Sequence, residues 1–492
     1  MSTLHDTSTR PPDQTGHEPG WAPLAVLLSG TCLVVLDFFI VNVALPSVQR
    51  DLHASTTSLE WLVAGYGLTF GGLLIAATRL GDRWGRRRMY ASGVALFVLA
   101  SAACGLATST EALVVARLVQ GVGAAMLSPM VLALVGDVYE GPRRARALAA
   151  YSTAMGLAAA CGQLLGGVLI RADIAGLGWR SVFLVNVPVG LVTLSLVRRV
   201  LPETRVTDPA PVDLCELVLA TGSLTAVMLP LLEGRTQGWP WWTWAGFALA
   251  AALAVGLVRR GRVLAARGLR PLLDPEPFRS PGVATGLLGQ GLLFAGMASY
   301  FLVLAIYLQR GRGLGPLASG LVFSILAVAY LLGTRLAPRL VAGGPGRTVV
   351  TGAALFTAGH LVLLAAVVLG GTSASVLWLA PGLAVSGLGM GLCLAALVGT
   401  VMAVVPPHHA GHVSGASSTV QQVANALGVA LVGIVFFGLA PHGLVAAFAV
   451  SLACLCVSTV GVAAAGRALG AALGPQAERP ASGGRSVLEA AP

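Results

Sequence analysis

The chain has 492 residues, 56% hydrophobic and 10% charged, with mean hydropathy +0.82; a soluble domain carries roughly 25% charge, so a water-soluble enzyme and a disordered scaffold are both excluded. The 63 glycines follow no Gly-X-Y period, which removes collagen. All 31 basic residues are arginine against 20 acids, and they cluster between apolar runs, which points to a lipid bilayer rather than nucleic acid as partner.

In chain order, apolar runs of about 20 residues, the length that crosses a bilayer, predict an all-α polytopic membrane protein. Its fourteen helices fall at 22–47, 59–79, 88–107, 111–137, 145–170, 180–200, 212–232, 240–258, 283–308, 316–337, 348–370, 374–404, 412–439 and 442–470. The polar start, with Asp6, Asp13 and Glu18, lacks a signal-peptide pattern, so uncleaved insertion is expected. With the N-terminus inside, the inner segments hold 24 arginines and the outer ones six: Arg50, Arg171, Arg180, Arg235, Arg310 and Arg312. That asymmetry places both termini on the cytoplasmic face of a bacterial inner membrane. Seven scattered cysteines without a CxxC pair predict neither disulfides nor a metal framework. His408, His409 and His412 have metal-like spacing but no acidic or cysteine companions, so no metal site and no cofactor are expected. With no lysine there is no phosphate loop, and energy must come from a gradient or a partner; no obligate protein partner is expected.

An internal repeat is visible. Thr78-Arg79-Leu80-Gly81-Asp82-Arg83 recurs as Thr334-Arg335-Leu336-Ala337-Pro338-Arg339, at an offset of 256 residues, and Gly121-Val122-Gly123 recurs as Gly387-Leu388-Gly389, at 266. Two parallel six-helix halves follow, 22–200 and 283–470, with an inserted helix pair in 201–282 and tails at 1–21 and 471–492.

Charged groups inside lipid are functional hypotheses by default. Asp37 lies nine residues before Pro46, about 14 Å below the outer end of helix 1, and Arg117 lies about 9 Å into helix 4. They are candidates for a proton-coupling pair; a static ion pair locking the two helices is the alternative. The loop from Thr78 to Arg88 combines Gly81 and Gly85, which permit a tight turn, with Asp82, Arg83, Arg86 and Arg87, expected with Asp137 to form an inner gate.

This loop resembles the signature of the major facilitator superfamily, Gly-x-Leu-x-Asp-Arg-x-Gly-Arg-Arg, with Thr78 in place of the first glycine. Leu36 to Pro46 is similar to the helix 1 signature of its fourteen-span drug:proton antiporter branch, and Arg117 to Ala125 to the helix 4 signature, whose arginine the family implicates in proton transfer. Trp179 to Gly190 and Gly234 to Trp239 are further matches. Gly156, Gly162, Gly166 and Gly167 resemble the antiporter signature of helix 5, whose glycines allow close helix packing; Gln163 stands where proline is expected, and the proline kink is expected to be lost with it. The resemblance implies a proton-coupled exporter of a lipophilic antibiotic or similar small molecule. A facilitative or proton-symporting importer of the same superfamily is the alternative, and a membrane enzyme would need carboxylate or histidine clusters that are not seen.

Between Glu276 and Glu478 there is no acidic residue, so helices 9 to 14 offer a ligand no carboxylate. A neutral, zwitterionic or singly charged substrate is expected, in a cavity using Asn42, Gln120, Tyr300, Gln309, Gln421 and Asn425. His360, in helix 11, is either a buried core histidine or a proton relay.

Overall fold

The computed structural model describes residues 20–205, 213–234, 237–269, 271, 280–341, 344–371, 374–404 and 410–473. Residues 1–19 and 474–492 of the expected tails 1–21 and 471–492, and His408 and His409, lie outside the described residues. The first half comprises α1 (Ala22–Leu52), α2 (Thr56–Trp84), α3 (Arg86–Gly105), α4 (Thr110–Val138), α5 (Gly141–Ala172) and α6 (Gly178–Val200). The inserted pair is α7 (Leu214–Glu233) and α8 (Trp241–Ala266). The second half comprises α9 (Pro281–Ile306), α10 (Pro316–Val341), α11 (Pro345–Gly370), α12 (Ala380–Val404), α13 (Ala410–Leu439) and α14 (Leu444–Leu473). Twelve of these spans are long and apolar enough to cross a membrane as they stand, and α2 and α5, each bent, bring the number to fourteen. The chain is a multi-pass membrane protein.

Three helices differ from the sequence expectation. α1 runs through Pro46 to Leu52 instead of stopping at 47; inside a bundle, neighbouring helices and local adjustment tolerate the missing donor. The Thr78–Arg88 segment is not a loop: α2 stays helical to Trp84 and only Gly85, at φ +114°, separates it from α3. α5 keeps a bend of 40° at the Ala159–Cys161 break although Gln163 replaces proline. Gly162 follows that break at once, where a Cβ would lie 3.1 Å from Phe39 and 3.2 Å from the Leu36 carbonyl of α1; a glycine at a close helix contact is a site where a helix bends without proline. α2 bends by 50° beside Ile75, where Gly71 and Gly72 precede and the Thr78 hydroxyl donates to the Leu74 carbonyl at 2.9 Å.

Helix packing repeats between the halves. Within the first, α1 packs on α5 and α6, α4 on α2 and α3, and α3 on α6; within the second, α9 packs on α13 and α14, α12 on α10 and α11, and α11 on α14. The halves meet along two seams, α5 with α10 and α2 with α13. α7 lies over the second seam, against α2 and α13, and α8 packs on α7. Both inserted helices are mostly exposed, as lipid-facing helices are. Asp213 caps α7 by accepting from the Glu216 amide at 3.0 Å, and Arg260 of α8 donates to the same carboxylate at 2.7 Å. Call the end where α1 starts proximal and the other distal.

Candidate functional site

Asp37 sits on α1 fifteen residues before its distal end and is fully buried. Arg117, equally buried, reaches it from α4, with Nη1 2.5 Å from Oδ2. The other carboxylate oxygen accepts from the Gln120 amide at 2.8 Å and from the Asn186 amide of α6 at 3.0 Å. Gln120 ties the cluster together: its carbonyl accepts from Arg117 at 2.7 Å and its amide donates to Ser101 of α3 at 2.8 Å. Arg117 Nε donates to the Leu62 carbonyl of α2 at 3.1 Å, and the guanidinium lies over the Tyr66 ring at 4.3 Å. Side chains or carbonyls of five helices of the first half thus join one buried network around this carboxylate.

That arrangement has a defined chemistry. An ionised carboxylate only accepts hydrogen bonds, and here its three partners all donate; a protonated one must itself donate. A proton placed on Oδ2 would therefore compete with Arg117 for the same atom. The sequence singled out Asp37 and Arg117, and the structure brings them together. Gln120, expected in the substrate cavity, belongs to this ion-pair centre instead. Asn186, Ser101 and Tyr66 were not singled out as site residues; the available signal was a polar side chain inside an apolar span, present at Asn186 within the Trp179–Gly190 match.

The proximal cluster is also assembled. Arg86 bridges Asp82 at 2.9 Å and Asp137 at 2.6 Å. The second oxygen of Asp137 accepts from Thr204, whose carbonyl accepts from the Arg86 backbone amide at 3.0 Å. Arg87 donates to the Leu201 carbonyl at 3.0 Å and, with Arg88, pairs with Glu203 at 3.4–3.5 Å. Arg83 is exposed. The segment 201–205 after α6, absent from the sequence expectation, thus straps the α2–α3 turn. A side chain on Gly85 would meet the Glu203 carboxylate.

The helix 5 glycines face two ways. A Cβ on Gly162 or Gly166 would press on α1, at Leu36, Phe39 and Ile40; on Gly167 it would meet Leu317 Cα of α10 at 2.8 Å, and on Gly156 the Leu331 side chain. The middle and distal parts of α5, at Gly162 and Gly166, therefore hold α1, while its other face carries the seam between halves.

The remaining cavity residues are not gathered in one place. Asn42 donates back to the Phe38 and Phe39 carbonyls, leaving its oxygen without a partner. Gln309 crosses between the halves to the Val43 carbonyl at 2.9 Å, near a bond from Arg310 to Gln49. Tyr300 lies inside the second half, 3.3 Å from Ser386. Gln421 and Asn425 lie on α13 with Ser417 and Gln422, and Ser417 and Gln421 donate to Gln290 of α9; among the described residues the Gln290 amide nitrogen and Asn425 oxygen have no partner. A small apolar cleft of about 40 Å³ lies between α2, α7 and α13, lined by Leu68, Val227, Met228 and Val423 among others.

The chain has counterparts among known proteins. Residues 27–429 match the model of the Major Facilitator Superfamily. The chain belongs to this superfamily. It is 36% identical over 423 residues to a probable actinorhodin transporter of Streptomyces coelicolor, covering 85% of this chain and 73% of that one. It is 36% identical to a puromycin resistance protein of Streptomyces alboniger, covering 86% and 84%, and 38% identical to a cephamycin export protein of Amycolatopsis lactamdurans, covering 86% and 87%. Among solved structures, a POT family transporter, PepTSo, superposes with a TM-score of 0.67 at 14% identity, covering 92% of this chain and 99% of that one. At that identity the likeness concerns the fold.

Proposed function

We propose that this superfamily member is an efflux transporter that exports a lipophilic antibiotic or similar compound across the cytoplasmic membrane, taking in protons in exchange. Export is supported by relatives named for antibiotic transport and resistance, each matched over most of its length. Proton coupling is supported by one observation above all: a buried carboxylate whose Oδ2 is held, among the described residues, by Arg117 alone.

In this reading Asp37 exchanges Arg117 for a proton when the first half opens outward, and the freed arginine alters the packing of α4 against α1. Returning inward, Asp37 gives the proton up and recovers the pair. The bodies that rock are the two six-helix halves of 22–200 and 283–470, with α7 and α8 riding on the α2–α13 seam, and both termini are cytoplasmic. The strap of 201–205 and the Asp82–Arg86–Asp137 chain hold the proximal end of the first half as a unit. A proton entering down 100 mV contributes about 2.3 kcal/mol and each pH unit about 1.4 kcal/mol more, enough for a tenfold or larger accumulation ratio. The absence of carboxylates from α9–α14 favours neutral, zwitterionic or singly charged substrates.

The test uses inverted membrane vesicles energised by respiration, with collapse of the proton gradient recorded on adding actinorhodin, puromycin, a cephamycin and a wider antibiotic panel. Collapse in the wild type that is lost in Asp37→Asn supports drug:proton exchange through Asp37. Collapse that survives in Asp37→Asn removes Asp37 from the coupling step.

A further inference from the structure

Gln163 is the residue of α5 where the resembled antiporter signature has proline. It is only 2% exposed, and among the described residues neither its amide oxygen nor its amide nitrogen has a hydrogen-bond partner. Proline, or any apolar residue, would leave no polar atom unmatched at this place, so the glutamine destabilises the closed structure unless something outside the fold bonds to it.

The glycines around Gln163 fix where it stands. A Cβ on Gly162 would lie 3.1 Å from Phe39 Cβ, and one on Gly166 3.5 Å from Val43 Cβ, both on α1. Across the seam, a Cβ on Gly320 of α10 would lie 2.7 Å from the Gln163 carbonyl oxygen, and one on Gly167 2.6 Å from the Pro316 carbonyl oxygen. Gln163 therefore sits where α5 meets α1 on one side and the second half on the other. Two further unmatched polar groups are next in sequence to these contact points. Asn42, beside Val43, donates its amide hydrogens to the Phe38 and Phe39 carbonyls and keeps a buried oxygen with no partner among the described residues. Ser319, beside Gly320, is fully buried, and its hydroxyl is likewise unmatched among them.

An aromatic path crosses between the halves from the same helices. Phe39 of α1 meets Phe301 of α9 edge-on at 5.0 Å, and Phe301 stacks on Phe323 of α10 at 5.6 Å. Phe39 precedes Asn42 by three residues and Phe323 follows Ser319 by four, spacings that put each ring on the helix face of its polar neighbour. The surroundings carry no free charge: the sequence has no charged residue from 38 to 49, from 147 to 170 or from 313 to 334, and Asp37 is held by Arg117, Gln120 and Asn186.

One ligand chemistry suits this set. The Gln163 amide and the Ser319 hydroxyl both donate and accept, the free Asn42 oxygen accepts, and the aromatic rings favour a flat apolar body. We propose that Gln163, Asn42 and Ser319 form a polar subsite for a neutral hydrogen-bonding group, an amide or a hydroxyketone, carried on a flat lipophilic molecule that lies along Phe39, Phe301 and Phe323. In this structure the halves close over the subsite, and the ligand enters as they part. That this ligand is the exported substrate rests on the efflux reading above; its binding does not.

The experiment measures equilibrium binding of tritiated chloramphenicol to the full-length protein in lipid nanodiscs, together with the unfolding temperature. Chloramphenicol is a neutral probe with an amide and two hydroxyls on an aromatic body. Because Gln163→Leu removes an unmatched polar group, we expect it to unfold at the wild-type temperature or above, while binding the probe about tenfold more weakly. Ser319→Ala, a smaller change, is expected to weaken binding by about threefold and gives an answer should Gln163→Leu not fold. Unchanged affinity in both variants would overturn the proposal, and so would weaker binding that comes only with a lowered unfolding temperature, which is what a purely structural glutamine predicts. A wild-type protein that binds no chloramphenicol would refute it as well. Failure of the efflux reading would appear instead as vesicles whose proton gradient does not respond to chloramphenicol, with these affinities unaltered.

Discussion

Asp37 and Arg117 are both fully buried, so the balance between their attraction and their desolvation decides what each mutation costs. Removing one partner strands the other. Asp37→Asn should destabilise the protein by about 3–5 kcal/mol, read as a lowered unfolding temperature in detergent. Adding Arg117→Met should recover much of that loss without restoring gradient collapse, because it removes the stranded cation and not the missing acid. Asn186 tests the less obvious part of the site. Asn186→Leu deletes one of three donors to the carboxylate, and a loss of about 1–3 kcal/mol is expected, together with weaker gradient collapse at unchanged expression. If Asn186→Leu were as stable and as active as the wild type, its bond to Asp37 would be incidental. The charged pair was legible in the sequence because a charge in an apolar run stands out. Gln120 was legible as a polar residue but not in its role, since nothing in a one-dimensional pattern says that its face of α4 turns toward α1 and α3 rather than toward the cavity.

The elements show where local signals stop. Gly81 and Gly85 look equivalent as turn residues, yet Gly81 stays helical against Met130 and only Gly85 adopts a positive φ. Gly85→Ala would need a left-handed backbone and would press on Glu203, so it should cost about 1–3 kcal/mol and lower transport. Gly81→Ala should be felt through Met130 alone, and a Gly85→Ala protein with wild-type unfolding temperature would refute the assignment. The bend in α5 without its proline has the same lesson, because it falls beside a glycine in close contact with α1. At the base of the inserted pair, the hydrogen bond from Arg260, with that from the Glu216 amide, holds the Asp213 carboxyl below its ordinary range. A depressed carboxyl stabilises the fold above its unfolded pKa and loses that contribution as pH falls through the folded value. A spin label on the exposed Cys215 should therefore report constant mobility from pH 7 to about 5 and loosening only below about 4. In Arg260→Gln the acid-dependent step should move up toward the ordinary aspartate value.

At the scale of the whole molecule, the two seams are unlike. One, α2 with α13, is covered by α7; the other, α5 with α10, is uncovered and closes on glycine, with Gly167 against Leu317 and Gly320 against the Gln163 backbone. The bonds from Gln309 to Val43 and from Arg310 to Gln49 lie at the same distal end. If the halves rock, this distal contact must open. Gln49→Cys with Arg310→Cys, in a background where the seven native cysteines are serine, should be joined by a short, reducible thiol cross-linker that abolishes gradient collapse until it is cleaved. Full transport by the cross-linked protein would mean that the distal seam does not separate.

Spans, the duplication of the halves and the acid–arginine pair were determined by the sequence alone, because hydropathy, charge placement and repeated motifs are properties of the chain read in order. The partners of Asp37 on α4 and α6, the strap of 201–205 over the α2–α3 turn, the bend of α5 and the enclosure of His360 beside Tyr300 were decided only by tertiary structure. Each depends on which face a helix turns to its neighbours, and an apolar stripe that is hydrophobic all round, as suits lipid on one side and protein on the other, carries almost no record of that rotation.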